Sequence, residues 1–216
     1  MPEGRRGKVE EVKTDVLLAY VGNHTEDWWI DASIRKFAEF GLNLGRIVVA
    51  GNVPWDLPDT VDRFPIPPML ARGSRYDNAV DAVLKVIEAR VLAKPFLYCP
   101  PCVLLTETTD LAAFPFYARR PRIRSVADLI RENKGGAVVT RYQLVLSDTR
   151  AALERNGYPA AEISTQHLVH IDPEDAPEAK RVWLEEPHGE FGYDMASLFG
   201  NLRAKRLGIQ PTVIPG

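Results

Sequence analysis

The sequence, 216 residues long, holds only two cysteines, four histidines and three methionines, and no apolar run approaches the roughly 20 residues that a membrane-spanning helix needs. Each shortage removes a class of protein. Two cysteines in a chain this long cannot supply a disulfide scaffold, and a reducing, cytoplasmic setting is the expectation. The first fifteen residues, MPEGRRGKVEEVKTD, lack the apolar middle of a secretory signal. Neither sign of charge dominates: 27 Lys and Arg against 29 Asp and Glu leave a formal charge of −2, which argues against a uniformly basic coat for nucleic acid. No internal repeat or long low-complexity tract is visible.

What is present has the balance of an ordinary globular protein, 45% hydrophobic and 26% charged. That length suits one domain over residues 1–216 with a sizeable core, residues 1–13 being a flexible polar start. Basic residues are unevenly placed. YARRPRIRS, Tyr117 to Ser125, carries Arg119, Arg120, Arg122 and Arg124 with no acidic residue among them, and NLRAKR adds Arg203, Lys205 and Arg206. Such groups are solvated faces or salt-bridged surface, or else they meet phosphate.

Along the chain, TDVLLAYVG reads as a buried strand closed by Gly22-Asn23. DWWIDASIRKFAEFGL follows as a helix, with Trp29, Ile34, Phe37 and Phe40 at mostly helical spacings and Gly41 as its stop. GRIVVAGNVP is a second strand with its own Gly-Asn turn. A Pro-rich connection, residues 56–70, leads to a helix over residues 74–93 and then to the strand PFLYC. Beyond the arginine segment, residues 125–133 and 148–157 read as helices, AVVTRYQLVLS (residues 137–147) as a strand, and residues 193–208 as a closing helix. This alternation predicts an α/β fold with a Rossmann-like, mostly parallel sheet flanked by helices and working groups at the strand C-termini.

Both cysteines lie in CPPC, Cys99 to Cys102, straight after the strand PFLYC. A thioredoxin-type motif would open a helix, yet VLLT follows with no helical signal. A structural zinc site would need two further ligands, and His24, His167, His170 and His188 are all distant in sequence. The segment reads instead as a loop after a buried strand, where sheet enzymes keep their chemistry.

The order of landmarks resembles the Stealth-type sugar-phosphate transferases and related small viral and bacterial glycosyltransferases. DVLLAYVGN is similar to that family's first strand, GRIVVAGNVPW to its Ile-Tyr-Ile-Val-Thr-Asp-Gly segment, and YDNAVDAVL to its Asn-Ala-Ile-Glu helix start. PFLYCPPCVLLTETTDL resembles Phe-Ile-Tyr-Leu-Asn-Asp-Asp-Val-Phe-Leu. QHLVHIDPEDAPEAK and EFGYDMASLFGNL resemble its late histidine and aspartate segments. The resemblance implies a single-domain GT-A-like fold and a nucleotide-sugar donor, of which a UDP-sugar is the expectation. Where the family has paired aspartates for a divalent metal, this chain has Pro101 and Cys102. Glu107 and Asp110 would then supply oxygen ligands, arginine would neutralise the diphosphate without metal, or the chain would bind without turnover.

Glycosyl transfer needs a seat for the nucleotide, positive charge for the leaving diphosphate, and a group for the acceptor proton. Tyr20, Gly22, Asn23, Arg75, Asp77 and Asn78 are the donor-binding candidates. Asp194 and His167 match the resemblance as catalytic residues, with His170 as a fallback. Arg119, Arg120 and Arg141 are candidates for the leaving group. The acceptor reading is DNA carrying a 5-hydroxymethyl pyrimidine, with Arg119, Arg120, Arg122 and Arg124 on its backbone and Trp28, Trp29 and Tyr117 stacking on an extruded base. A glycan acceptor is the alternative.

Overall fold

The computed structural model describes residues 12–20, 27–53, 56–67, 75–100, 103–132, 139–163, 167–187 and 189–214. In chain order the elements are β1 (Thr14–Tyr20), α1 (Asp27–Phe40), β2 (Gly41–Leu42), β3 (Leu44–Gly51), β4 (Asp62–Pro65), α2 (Arg75–Glu88), β5 (Phe96–Cys99) and β6 (Thr109–Asp110). They continue with β7 (Tyr117–Arg120), α3 (Val126–Glu132), α4 (Arg141–Arg155), β8 (Glu162–Ile163), β9 (Val169–Ile171), α5 (Ala176–Glu185), α6 (Met195–Leu207) and β10 (Thr212–Val213). No helix of the described residues is long and apolar enough to cross a membrane.

The main sheet has the order β4-β3-β1-β5-β9. Its first four strands are parallel and β9 is antiparallel to β5. β1 is central because it is apolar on both faces: Leu17 and Ala19 join one core cluster, Val16 and Leu18 the other. On the first face, α2 and α6 bring Val80, Val83, Leu198 and Phe199 against Leu17, Val48, Phe96 and Tyr98. On the second, α1 presents Trp29, Ile30, Ile34 and Phe37 to Ile47, Val49, Leu97 and Cys99. Each such large apolar side chain, when fully buried, contributes roughly 1.5–3 kcal/mol. A three-stranded sheet, β10-β7-β8, and the short β2-β6 pair complete the α/β architecture.

Three expectations need correction. Residues 141–147 are not a strand: α4 runs unbroken from Arg141 to Arg155, opened by a capping box between Thr140 and Gln143. Val145, Leu146, Thr149, Ala152 and Leu153 form its buried stripe, so helical spacing across the whole segment outweighs the β-branched start. The Pro-rich connection holds β4, which tolerates Pro65 because it is the sheet's edge strand. The helix expected over residues 74–93 spans Arg75 to Glu88 and ends in a turn with Arg90 at φ 55°, the left-handed position that glycine usually fills.

Candidate functional site

The strand order leaves β1 with β3 on one side and β5 on the other, so the chain's direction of progress reverses at β1. In open α/β sheets, ligands settle outside the C-terminal ends of the strands at such a point. Tyr20, Gly51 and Cys99 are the strand-end residues there. The crossover helix α2 runs back against the parallel strands, which puts its first turn at the same edge.

A narrow crevice of about 10 Å³ at this edge is lined by Tyr20, Gly51, Asn52, Pro67, Asn78 and Asp81, and beside it Gly51, Asn52, Val53, Arg63 and Pro67 line a cleft of about 260 Å³. The fold thus gathers two of the expected donor residues, Tyr20 and Asn78. Gly51 makes the approach possible. It adopts φ 120°, and a Cβ there would lie 1.9 Å from the Tyr20 carbonyl oxygen, so no side chain fits. Gly51 and Asn52 were noted in the sequence only as a turn, although they repeat the Gly-Asn pairing that ends the first strand.

Asp77 turns away from the crevice. Its carboxylate is buried and accepts the Trp183 indole N–H at 2.8 Å, with Gly192 pressed against it. Arg75 opens α2. Gly22, Asn23, Pro101, Cys102, His24 and His188 lie outside the described residues.

His167 reaches the same edge from the other direction. Because β9 is antiparallel and pairs Val169 with Tyr98, His167 comes level with Pro100 just past the end of β5. Its ring packs on Tyr117 at 4.9 Å between centroids, and burial holds its pKa below the ordinary value. A neutral imidazole at pH 7 is the form that accepts a proton. His170 is the middle residue of β9, with its Nε2 2.6 Å from the Phe114 carbonyl oxygen, and burial lowers its pKa also.

Asp194 has a different task. It is the N-cap of α6, and its carboxylate accepts the Ser197 amide at 2.8 Å while the Ser197 hydroxyl meets the Ile163 amide. Burial pushes its pKa up to about 6, with the Glu162 carboxylate adding to the rise. A carboxyl so enclosed holds a helix end in place.

The arginine segment is neutralised internally. Arg119 and Arg120 lie 3.6 and 3.1 Å from Glu162, Arg122 lies 2.7 Å from Glu154, and Arg124 lies 2.5 Å from Glu132. Arg206 likewise meets Asp172, Glu174 and Asp175. Arg141 differs. It begins α4, stands exposed over the Phe191 ring at 5.4 Å, and has no carboxylate within ion-pair reach among the described residues. Its neighbour Tyr142 stacks on Tyr76 of the first turn of α2, 6.2 Å between centroids, which brings the start of α4 beside the start of α2. Of the aromatic side chains expected to stack on a base, Trp28 is exposed, Trp29 is a core residue and Tyr117 is shared with Phe114 and His167.

The oxygen ligands expected for a divalent ion do not fit one at this edge. Asp110 accepts from the Asn43 side chain at 2.8 Å and from the Ala112 amide at 3.0 Å. Its strand β6 pairs with β2, between the end of α1 and the start of β3, which is the far end of the sheet. Glu107 is exposed three residues earlier, and no group of three or more His, Cys, Asp or Glu among the described residues is placed to hold a metal. Cys99 is fully buried in the α1-side core, and burial pushes its thiol far above the ordinary value. No protein-family model and no curated protein matches the chain.

Proposed function

We propose that the chain binds a nucleotide sugar, a UDP-sugar in the first instance, at the C-terminal edge of its sheet and transfers the sugar to a hydroxyl acceptor. The observation that carries this reading is the crevice and adjoining cleft at the reversal point of the sheet, where the ends of β1 and β3 meet the first turns of α2 at Tyr20, Gly51, Asn52 and Asn78.

The remaining roles fall to groups on elements that end near the same edge. Arg141 supplies fixed positive charge for a diphosphate, and a guanidinium remains charged throughout the reaction. His167, neutral and beside the end of β5, takes the acceptor proton as the new glycosidic bond forms and the sugar–diphosphate bond breaks. The diphosphate departs toward Arg141. DNA carrying a 5-hydroxymethyl pyrimidine and a glycan are both acceptors of this chemistry. The four arginines from Arg119 to Arg124 add no support for DNA, because each already meets a carboxylate.

Titration of the chain with a panel of nucleoside diphosphate sugars tests the proposal. Saturable binding is expected, weakened about tenfold or more by Asn78→Ala and by Arg141→Ala. His167→Ala is expected to leave that affinity intact and to abolish slow donor hydrolysis. A chain that binds no member of the panel, or binds with indifference to both substitutions, would falsify the assignment.

A further inference from the structure

A large concavity of the described residues is at the opposite end of the sheet. A cleft of about 840 Å³ opens at the N-terminal ends of β1, β3 and β5, lined among others by Lys13, Asp15, Gly45, Arg46, Arg90 and Lys94. Small-molecule sites span roughly 300–1,000 Å³, so a nucleotide-sized ligand has room here.

The cations of this cleft are treated differently from those elsewhere in the chain. Arg46 is tied down: it meets Asp15 at 2.9 Å and Asp62 at 3.4 Å, and it donates to the Val91 carbonyl at 2.8 Å. Asp15 is thereby spent, since it also accepts the Arg46 amide at 2.8 Å. Lys13, Arg90 and Lys94 have no carboxylate within ion-pair reach among the described residues. Three cations lining one cleft with no carboxylate partner among the described residues contrast with the arginine segment, where all four guanidiniums are paired.

Backbone geometry points the same way. Arg90 is held at φ 55°, a conformation that costs an L-residue about 1–2 kcal/mol and for which glycine is the ordinary choice. The Arg46 clamp on the Val91 carbonyl fixes the turn that presents Arg90. The C-terminal carbonyls of α2 do not repel an anion unscreened, because those of Lys85, Val86 and Ile87 accept the amides of Ala89, Val91 and Arg90. Strain of this kind persists where the side chain is needed.

The geometry points to a second anion site, which takes a phosphate-bearing small molecule through Lys13, Arg90 and Lys94. It is separate from the donor crevice, lying across the full length of the strands from it. A compact cleft suits a small polyphosphate or nucleotide better than a nucleic-acid backbone, which would need an extended basic track.

The test is calorimetric titration of the full chain with inorganic tripolyphosphate at about 0.1 M salt, where exposed charges are already screened beyond roughly 10 Å. One ion per chain is expected, with affinity falling about tenfold or more in Arg90→Gly combined with Lys94→Gln. Arg90→Gly removes the charge at a position glycine favours, so the variant keeps its fold, and a thermal melt verifies that. Arg122→Ala, at a guanidinium already paired with Glu154, is expected to leave tripolyphosphate affinity unchanged. Absence of saturable binding, or binding indifferent to the double substitution, would overturn the site. So would loss of tripolyphosphate binding in Arg141→Ala, which would put the anion at the other edge. Tighter binding of duplex DNA than of tripolyphosphate, lost in the same double variant, would replace the small molecule with a nucleic-acid backbone.

Discussion

Replacing Asp194 with asparagine separates a helix cap from a catalytic carboxylate. The side chain is fully enclosed, and burial together with the Glu162 charge raises its pKa from 3.8 to about 6. The folded state therefore binds the Asp194 proton more tightly than the unfolded chain does. This contribution to stability is fully present below the unfolded pKa, near 4, and is lost as pH rises through about 6. Two pKa units correspond to about 3 kcal/mol at about 1.4 kcal/mol per unit.

Asparagine is neutral at every pH and caps a helix as well as aspartate does, so its amide oxygen still accepts the Ser197 N–H. Asp194→Asn is expected to match the parent chain in stability near pH 4 and to exceed it by about 2 to 3 kcal/mol at pH 8. Asp194→Ala is expected to lose about 1 to 2 kcal/mol at pH 4, where charge plays no part, because the cap is gone. Urea unfolding of the three chains across that pH range measures all of this. An Asp194→Asn chain less stable than the parent at pH 8 would show the ionised carboxylate to be well satisfied and would refute the reasoning. Loss of transferase activity in a stable, correctly folded Asp194→Asn chain would return Asp194 to the reaction.

Three further outcomes are expected. Cys99 should resist alkylation by a thiol reagent in the native chain and react only on unfolding, since its thiol is buried and held protonated; rapid native labelling with loss of activity would revive a working thiol. Chelation should leave nucleotide-sugar affinity unchanged, because Asp110 is engaged by Asn43 at the far end of the sheet; a complete loss restored by added metal would refute this. Changing Arg119, Arg120, Arg122 and Arg124 together to alanine should lower stability by about 1 to 3 kcal/mol, mainly through the stranded Glu162 carboxylate. The same chain should show an unaltered salt dependence of any DNA binding, and a slope reduced by about 0.7 to 0.9 per lost contact would restore the phosphate reading.

Much of the frame was legible because it rests on local periodicity. β1, α1, β3, α2, β5 and α6 each follow from an apolar run or a 3.6-residue stripe bounded by glycine or proline, and together they give the parallel part of the sheet with its helices. Short elements were not legible. β8 and β9 are two and three residues long, and a strand of that length carries no period to read. The site divided along the same line. Tyr20 and Asn78 sit at the ends of elements the sequence marks clearly, so their meeting follows from the β-α-β order. Asp194 is ambiguous at the level of sequence, because GYDM looks alike whether the aspartate faces a substrate or caps the helix it precedes. Only the Ser197 amide and the packing around α6 tell the two apart.

The arginines make the same point about partners. Arg119, Arg120, Arg122 and Arg124 are adjacent in sequence, with no acid among them, yet they are the better neutralised group, because Glu132, Glu154 and Glu162 arrive from elsewhere in the chain. Lys13, Arg90 and Lys94 are scattered, each beside ordinary neighbours, and parallel pairing of β1 with β3 and β5 brings their strand ends together. Local charge density along a sequence therefore says little about where a folded surface is positive. What decides it is whether the topology delivers a carboxylate to each cation: among the described residues it does so at the arginine segment and at Arg46, and not at Lys13, Arg90 and Lys94 of the N-terminal cleft.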